Sequence, residues 1–274
     1  MDVPLERGRL ARFLWIETSV RARRPRSTFK FLVPLLSLSL LAAKKIDYVQ
    51  NCLKDAGGVE HFERVETVDW TFLIARPSEK GVIKWHGRQR MQRLGPEFLI
   101  REDVETPEGV WTIFVGSDCW VQKDGFLVTD KTVFDARVAD TRARAFCLLA
   151  PFTFLDKSTG GDYLGSAYFQ SRLLRRVRVD PKGFSPIPGP LVLQLDPETS
   201  RLNGLVFEKG GEGLLMEDPE MHQNLLRSPG QWTWYNAEGK RTEILRANSV
   251  VFNSYIGENV FKATAHVSQG EPRQ

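Results

Sequence analysis

Cysteine and histidine are scarce in this sequence: Cys52, Cys119 and Cys147 are its three thiols, and His61, His86, His222 and His266 its four imidazoles. No cysteines stand at CxxC spacing and no histidines at HExxH or HxH spacing, so neither a thiol redox motif nor a zinc site on one element is encoded. The GxSxG nucleophile elbow, the P-loop and the GxGxxG fingerprint are also missing. Carboxylates are plentiful, yet no pair stands on a recognisable scaffold for acid–base work. No catalytic residue, metal or cofactor is therefore assigned, and the lack of any 20–50-residue repeat disfavours a propeller or solenoid.

Nor is there an excess of one charge where it would matter. Residues 1–43 hold eight Lys and Arg against three acids, whereas residues 44–274 hold 30 basic and 31 acidic residues. The overall charge of +4 and the pI near 9.0 thus belong to the N-terminal segment, and a nucleic-acid partner is not indicated. That segment has RARRPRSTFK, then about a dozen apolar residues from Phe31 interrupted by Pro34, then Ala42 and Ala43 before Lys44. A spanning helix needs roughly 20 apolar residues, so this reads as a secretory signal peptide that follows an N-terminal extension. The domain organisation expected is this leader over 1–43 and one folded domain over 44–270, located in the periplasm or secreted. In an oxidising compartment the odd cysteine count favours buried free thiols, with Cys119 and Cys147 the pair that could bridge.

The whole sequence is 42% hydrophobic and 11% aromatic, enough for a sizeable core. Residues 45–55 place Ile46, Val49 and Leu53 on one helical face, and Gly57 with Gly58 stops that helix. The period then becomes two: TVDWTFLI sends Val68, Trp70, Phe72 and Ile74 one way, and GVIKWHGRQRMQRL sends Ile83, Trp85 and Met91 one way. EFLIREDV, GVWTIFV and CWVQKDGFLV continue an antiparallel meander, the last turning at Asp124–Gly125. KTVFDARVADTRARAFCLLA interrupts it with Phe134, Val138, Ala145 and Leu149 at helical spacing and Arg137, Asp140, Arg142 and Arg144 between them, an amphipathic helix over about 131–150 that Pro151 ends. RLLRRVRV, PLVLQL, SRLNGLVFEK and a final hairpin turning at Asn236–Gly239 resume the sheet, with residues 210–230 read as a polar, poorly patterned connection. About nine to eleven strands result.

AGGVEHFERVETVDWTF, RARAFCLLAPFTFLDKSTGGDYLG, LQLDPETSRLNGLVFE and SVVFNSYIGENVF resemble, in order and apolar pattern, successive segments of the outer-membrane lipoprotein-sorting superfamily, the LolA-like half-barrels. The resemblance spans roughly residues 45–265 and is closer to the superfamily's uncharacterised secreted branch. It implies an unclosed antiparallel β-barrel, mainly β with helices, whose helical insertion covers the concave face. It also implies a hydrophobic ligand, a lipid or acyl chain, bound on that face.

On this reading Trp70, Phe72, Trp85, Ile100, Trp111, Ile113, Phe152 and Phe154 are the candidate ligand-pocket residues, and PFTFL (151–155) is a wedge that covers the concavity, either as core or as a movable lid. Arg88, Arg90 and Arg93 form a basic strand face, read as solvated or as a head-group contact. The function expected is a non-catalytic carrier or sensor. The alternatives are a regulatory or scaffold protein of the envelope with a protein partner and, less favoured, an envelope hydrolase. An open apolar cavity points to the carrier and a filled barrel to the scaffold. Sequencing the N-terminus of the protein from the periplasmic fraction should begin near Lys44; intact Met1 in the cytosol would refute the leader.

Overall fold

The computed structural model describes residues 46–183 and 185–262, so the leader read in 1–43 lies outside the described residues. Helix α1 (Tyr48–Asp55) begins where the Asp47 carboxylate accepts from the Gln50 amide at 3.0 Å. It ends at Gly57 and Gly58, with φ of 119° and 91°; a Cβ on Gly57 would stand 2.4 Å from the Leu225 carbonyl oxygen, so this turn requires glycine. A short helix α2 (Val59–Glu63), not anticipated from periodicity, follows.

The strands are β1 (Thr67–Ser78), β2 (Gly81–Leu94), β3 (Glu97–Thr106), β4 (Gly109–Val115), β5 (Trp120–Lys123) and β6 (Phe126–Leu127). After α3 (Lys131–Leu149) come β7 (Asp162–Phe169), β8 (Arg172–Val179), β9 (Leu191–Leu195), β10 (Leu202–Phe207), β11 (Gly213–His222), β12 (Leu226–Tyr235) and β13 (Arg241–Phe252). All thirteen lie in one sheet in the order β6-β5-β4-β3-β2-β1-β13-β12-β11-β10-β9-β8-β7. Two meanders meet where β1 pairs antiparallel with β13, from Val68 opposite Phe252 to Ala75 opposite Ile244. β6 and β7 end the sheet without pairing to each other, so it is an open half-barrel of mainly β structure, as the resemblance implies.

The strand count exceeds nine to eleven for identifiable reasons. β6 is only two residues long, and β11 lies inside the segment read as a connection. In GLLMEDPEMH the apolar residues Leu214, Leu215 and Met216 are consecutive and all buried, so no alternation marks a strand, and Pro219 sits within it, opposite Pro229. Helix α3 falls where its spacing places it, but only its first half is amphipathic. From Arg144 to Ala150 every residue is buried, including Arg144, which periodicity assigns to the polar side.

The concave face carries the main core: Val68, Trp70, Phe72 and Ile74 of β1, Met91 of β2, Ile100 and Val104 of β3, and Trp111 and Ile113 of β4. Two inward positions on this face are polar, Gln89 and Glu102, both fully buried. They belong to one network that fastens α3 to the sheet. The Arg144 guanidinium donates to both Glu102 carboxylate oxygens, at 2.7 and 2.5 Å, and the Thr141 hydroxyl donates to Glu102 at 3.1 Å. The Gln89 amide donates to Glu102 at 2.5 Å and to the Thr141 carbonyl at 2.9 Å, while its own oxygen accepts from the Trp70 indole at 3.0 Å. Burial opposes the charge on Arg144, but the Glu102 carboxylate outweighs it and moves the guanidinium pKa up.

This side chain also dictates a glycine. Arg144 lies over the Phe72 ring at 5.8 Å, and a Cβ on Gly87 would stand 2.4 Å from the same ring and 3.0 Å from Val104. Gly87→Ala should lower stability by about 1–3 kcal/mol, since a fully buried ring must move to admit the methyl. Glu102→Gln should cost about 3–5 kcal/mol by leaving Arg144 buried without its counter-charge. Urea unfolding of the two variants checks both; a Glu102→Gln midpoint equal to that of the parent would show that the network does not hold the helix.

Candidate ligand-binding face

Seven of the eight candidate pocket residues come together on the concave side. Trp70, Phe72, Ile100, Trp111, Ile113, Phe152 and Phe154 all belong to the buried core, at 9% exposure or less. Trp85 stands apart, half-buried near the outer end of β2 with the Arg76 guanidinium 5.1 Å above its ring. Ile83, on the same face two residues further out, is 43% exposed, because the β1–β2 hairpin extends beyond the helix that would cover it.

The covering layer is α3 and the wedge that follows it. Phe154 stacks on Phe146 of α3 at 5.1 Å, and Phe152 stacks on Phe62 of α2 at 4.7 Å with an interplanar angle of 8°. The wedge is tied down from outside by the connection between β8 and β9. There the Lys182 amide donates to the Phe154 carbonyl at 3.0 Å, and a Cβ on Gly183 would lie 2.0 Å from the Thr153 carbonyl oxygen. The concave face is therefore filled by the chain's own side chains.

Solvent approaches it beside α3. A cleft of about 440 Å3 opens between α3 and strands β1, β12 and β13, lined by Asp140, Ala143, Arg144, Arg76, Trp234 and Glu243 among others. Its rim is charged: Arg76 donates to Glu243 at 2.5 Å and lies 3.8 Å from Asp140. Its floor is aromatic. Trp234 stacks on Phe207 at 5.7 Å, Phe207 lies 6.5 Å from Phe146, and Phe146 contacts Phe154, so one row of rings runs from the cleft to the wedge. Hollows of about 510 and 420 Å3 also occur, one within residues 180–190 and one at the β1–β2 hairpin tip, each lined by a single segment.

Chemistry-bearing groups elsewhere have structural partners. All three cysteines are free, the reading the odd count favours, and Cys119 and Cys147 are not bridged; Cys52 and Cys147 are buried, and burial pushes the Cys52 thiol up to about 12. Arg88 donates to Asp69 and Arg90 to Asp103 across neighbouring strands. Arg93 donates to the Phe62 and Val65 carbonyls and lies 4.5 Å from the rings of Phe62 and Phe98. On the supposed basic face Arg88 and Arg90 are thus neutralised by carboxylates, while Arg93 is held by carbonyls and rings. His222 and Ser228 share a hydrogen bond at 2.9 Å between β11 and β12, but Ser228 is 1% exposed, and burial moves the His222 pKa down. Among the described residues no group of three His, Cys, Asp or Glu side chains could hold a metal ion. No described helix is long and apolar enough to cross a membrane. The network residues Gln89, Glu102 and Arg144 were not singled out from sequence, although Gln89 and Glu102 stand at alternate positions with Met91 and Ile100, where polar side chains point inward.

No family profile matches the sequence and no curated protein matches it. Solved structures do match. A DUF1329 family protein from Desulfovibrio piger is similar with a TM-score of 0.53 and 7% identity, over 78% of this chain and 95% of that one. An outer membrane lipoprotein-sorting protein domain from Vibrio parahaemolyticus gives 0.47 at 11% identity, over 78% and 97%. A LolA superfamily protein from Nitrosomonas europaea gives 0.43 at 8%, over 78% and 95%. At these identities the likeness concerns the backbone fold alone, and it is the DUF1329 family protein, with a TM-score above 0.5, that supports a shared fold.

Proposed function

We propose that this chain is an exported, non-catalytic carrier or sensor of the cell envelope that takes the apolar part of an amphiphile, an acyl chain or a lipid tail, on its concave face beneath α3. The observation that carries the reading is the row of rings Trp234, Phe207, Phe146 and Phe154, which begins at a solvent-open cleft and leads under a single helix. In the closed arrangement α3 and the wedge occupy the apolar face. A ligand replaces their contacts with its own, and burial of its chain contributes roughly 25 cal/mol per Å2 of apolar surface. Trp70, Phe72, Ile100, Trp111, Ile113, Phe152 and Phe154 are then the ligand-contact set, with Trp85 at the rim. The charged residues Arg76, Asp140 and Glu243 would face the head group. The absence of any motif for covalent or acid–base chemistry, together with the buried position of Ser228, supports binding rather than catalysis.

The filled interior favours a second reading, in which the concave side is permanently closed and the partner is a protein of the envelope. One titration separates the two. A fluorescent fatty acid should gain emission saturably with the purified protein, and Ala143→Trp, which fills the cleft from α3, should weaken that gain about tenfold or more, as loss of a bound apolar segment does, with thermal stability retained. No gain with the parent protein would reject the ligand reading and leave the protein-binding one.

A further inference from the structure

β7 is the last strand of the sheet, and among the described residues its outer edge has no strand partner. The opposite end, β6, is two residues long, which is one way natural sheets avoid pairing with foreign strands. β7 is eight residues, DYLGSAYF, without lysine, arginine or proline, the residues that usually blunt an edge. Its single interruption is the register shift between Tyr163 and Ser166, around Gly165 with φ of 88°. Beyond the shift, Ser166 to Phe169 pair regularly with Arg175 to Arg172. Phe169 anchors this end from the side opposite the main core, lying over Gly204 and Gly213, whose Cβ positions would be 2.9 and 3.2 Å from its ring.

The side chains along this edge are large, apolar and exposed: Tyr163 at 51%, Leu164 at 42%, Tyr168 at 76%, and Leu173 opposite Tyr168 at 50%. The charges beside them have one sign left over. Arg172 is paired with Glu217, and Arg178 with Glu208 and Asp180. Arg175, 5.6 Å from the Tyr48 ring, and Arg176 have no carboxylate partner among the described ion pairs. As neighbours on a strand they point to opposite faces, so a strand laid along β7 meets one unneutralised guanidinium near each face. A second copy of β7 is a poor occupant, because antiparallel pairing of the two edges brings both arginine pairs together and offers only Asp162 in return.

We propose that the outer edge of β7 docks an extended segment of a partner protein by β-strand addition, and that the segment alternates large apolar with acidic residues. Backbone hydrogen bonds extend the sheet by a fourteenth strand, Tyr168 and Leu173 hold the apolar side chains, and Arg175 and Arg176 select the acidic ones. This inference is independent of the ligand reading, since the edge lies outside the cleft and the α3 cover.

The test uses fluorescence anisotropy of a labelled peptide, EVEFEVE, with the purified protein. Saturable binding is expected. Tyr168→Ala and Arg176→Glu, both at surface positions, should each weaken it about tenfold, the usual cost of losing one anchoring contact. The same peptide N-methylated on alternate amides, in either phase, should lose binding in one phase and keep it in the other, because only one row of amides faces β7. Four results would overturn the proposal: no saturable binding, equal binding of KVKFKVK, equal binding of both N-methylated phases, or a dimer in sedimentation that Tyr168→Ala dissociates. The last would assign the edge to a second copy.

Discussion

The carboxylate of Glu102, buried at the floor of the sheet and held by Arg144, Thr141 and Gln89, is the interaction around which this half-barrel is arranged. A carboxylate in that position must be matched by a cation and by donors for its remaining lone pairs, or its desolvation costs several kcal/mol. The match comes from α3 and from β2, so helix and sheet are joined there with fixed geometry. Apolar side chains alone would allow the helix to slide over the concave face. The ion pair sets where it sits, and with it the register of Phe146, the wedge and the aromatic row behind it.

An open, curved sheet of thirteen strands presents more apolar surface on its concave side than its own side chains can bury. Here the surplus is covered by α3 and by residues 151–155, with α1 and α2 closing the remaining side. That arrangement concentrates the cover in one continuous stretch of chain. It is fastened at the Glu102 network, at Trp232, whose indole donates to the Cys147 carbonyl at 3.0 Å, and at the connection over the wedge. The cleft beside Trp234 is where solvent approaches the inner rings.

Much of this was legible in the sequence because burial on one face of a strand imposes a period of two. Val68, Trp70, Phe72 and Ile74 announce β1 and its inner face, and Pro151 marks the end of a helix whose first half is amphipathic as expected. What periodicity conceals is an element buried on both sides. The second half of α3 has sheet beneath it and wedge beside it, so Arg144 reads as a surface residue although it is inside. β11 is hidden for the converse reason: past Met216 it projects beyond the core, and Glu217, Asp218 and Glu220 look like a loop. The inner face shared by the aromatic residues was readable from their spacing. Its state was not, because Phe152 and Phe154 fill a face or leave it open according to how the helix docks, which depends on two polar residues, Gln89 and Glu102, that interrupt otherwise apolar inner faces.

The central claim is that α3 and the wedge form a cover separable from the sheet. Amide hydrogen exchange measures this directly, residue by residue, because a segment that lifts as a unit exchanges at a lower opening free energy than the strands that stay folded. The account predicts that the buried amides of residues 138–149 and 152–155 exchange through a shared opening while those of β1, β2 and β13 stay protected up to global unfolding. Equal protection of cover and central strands would contradict it and make the filled interior a permanent core.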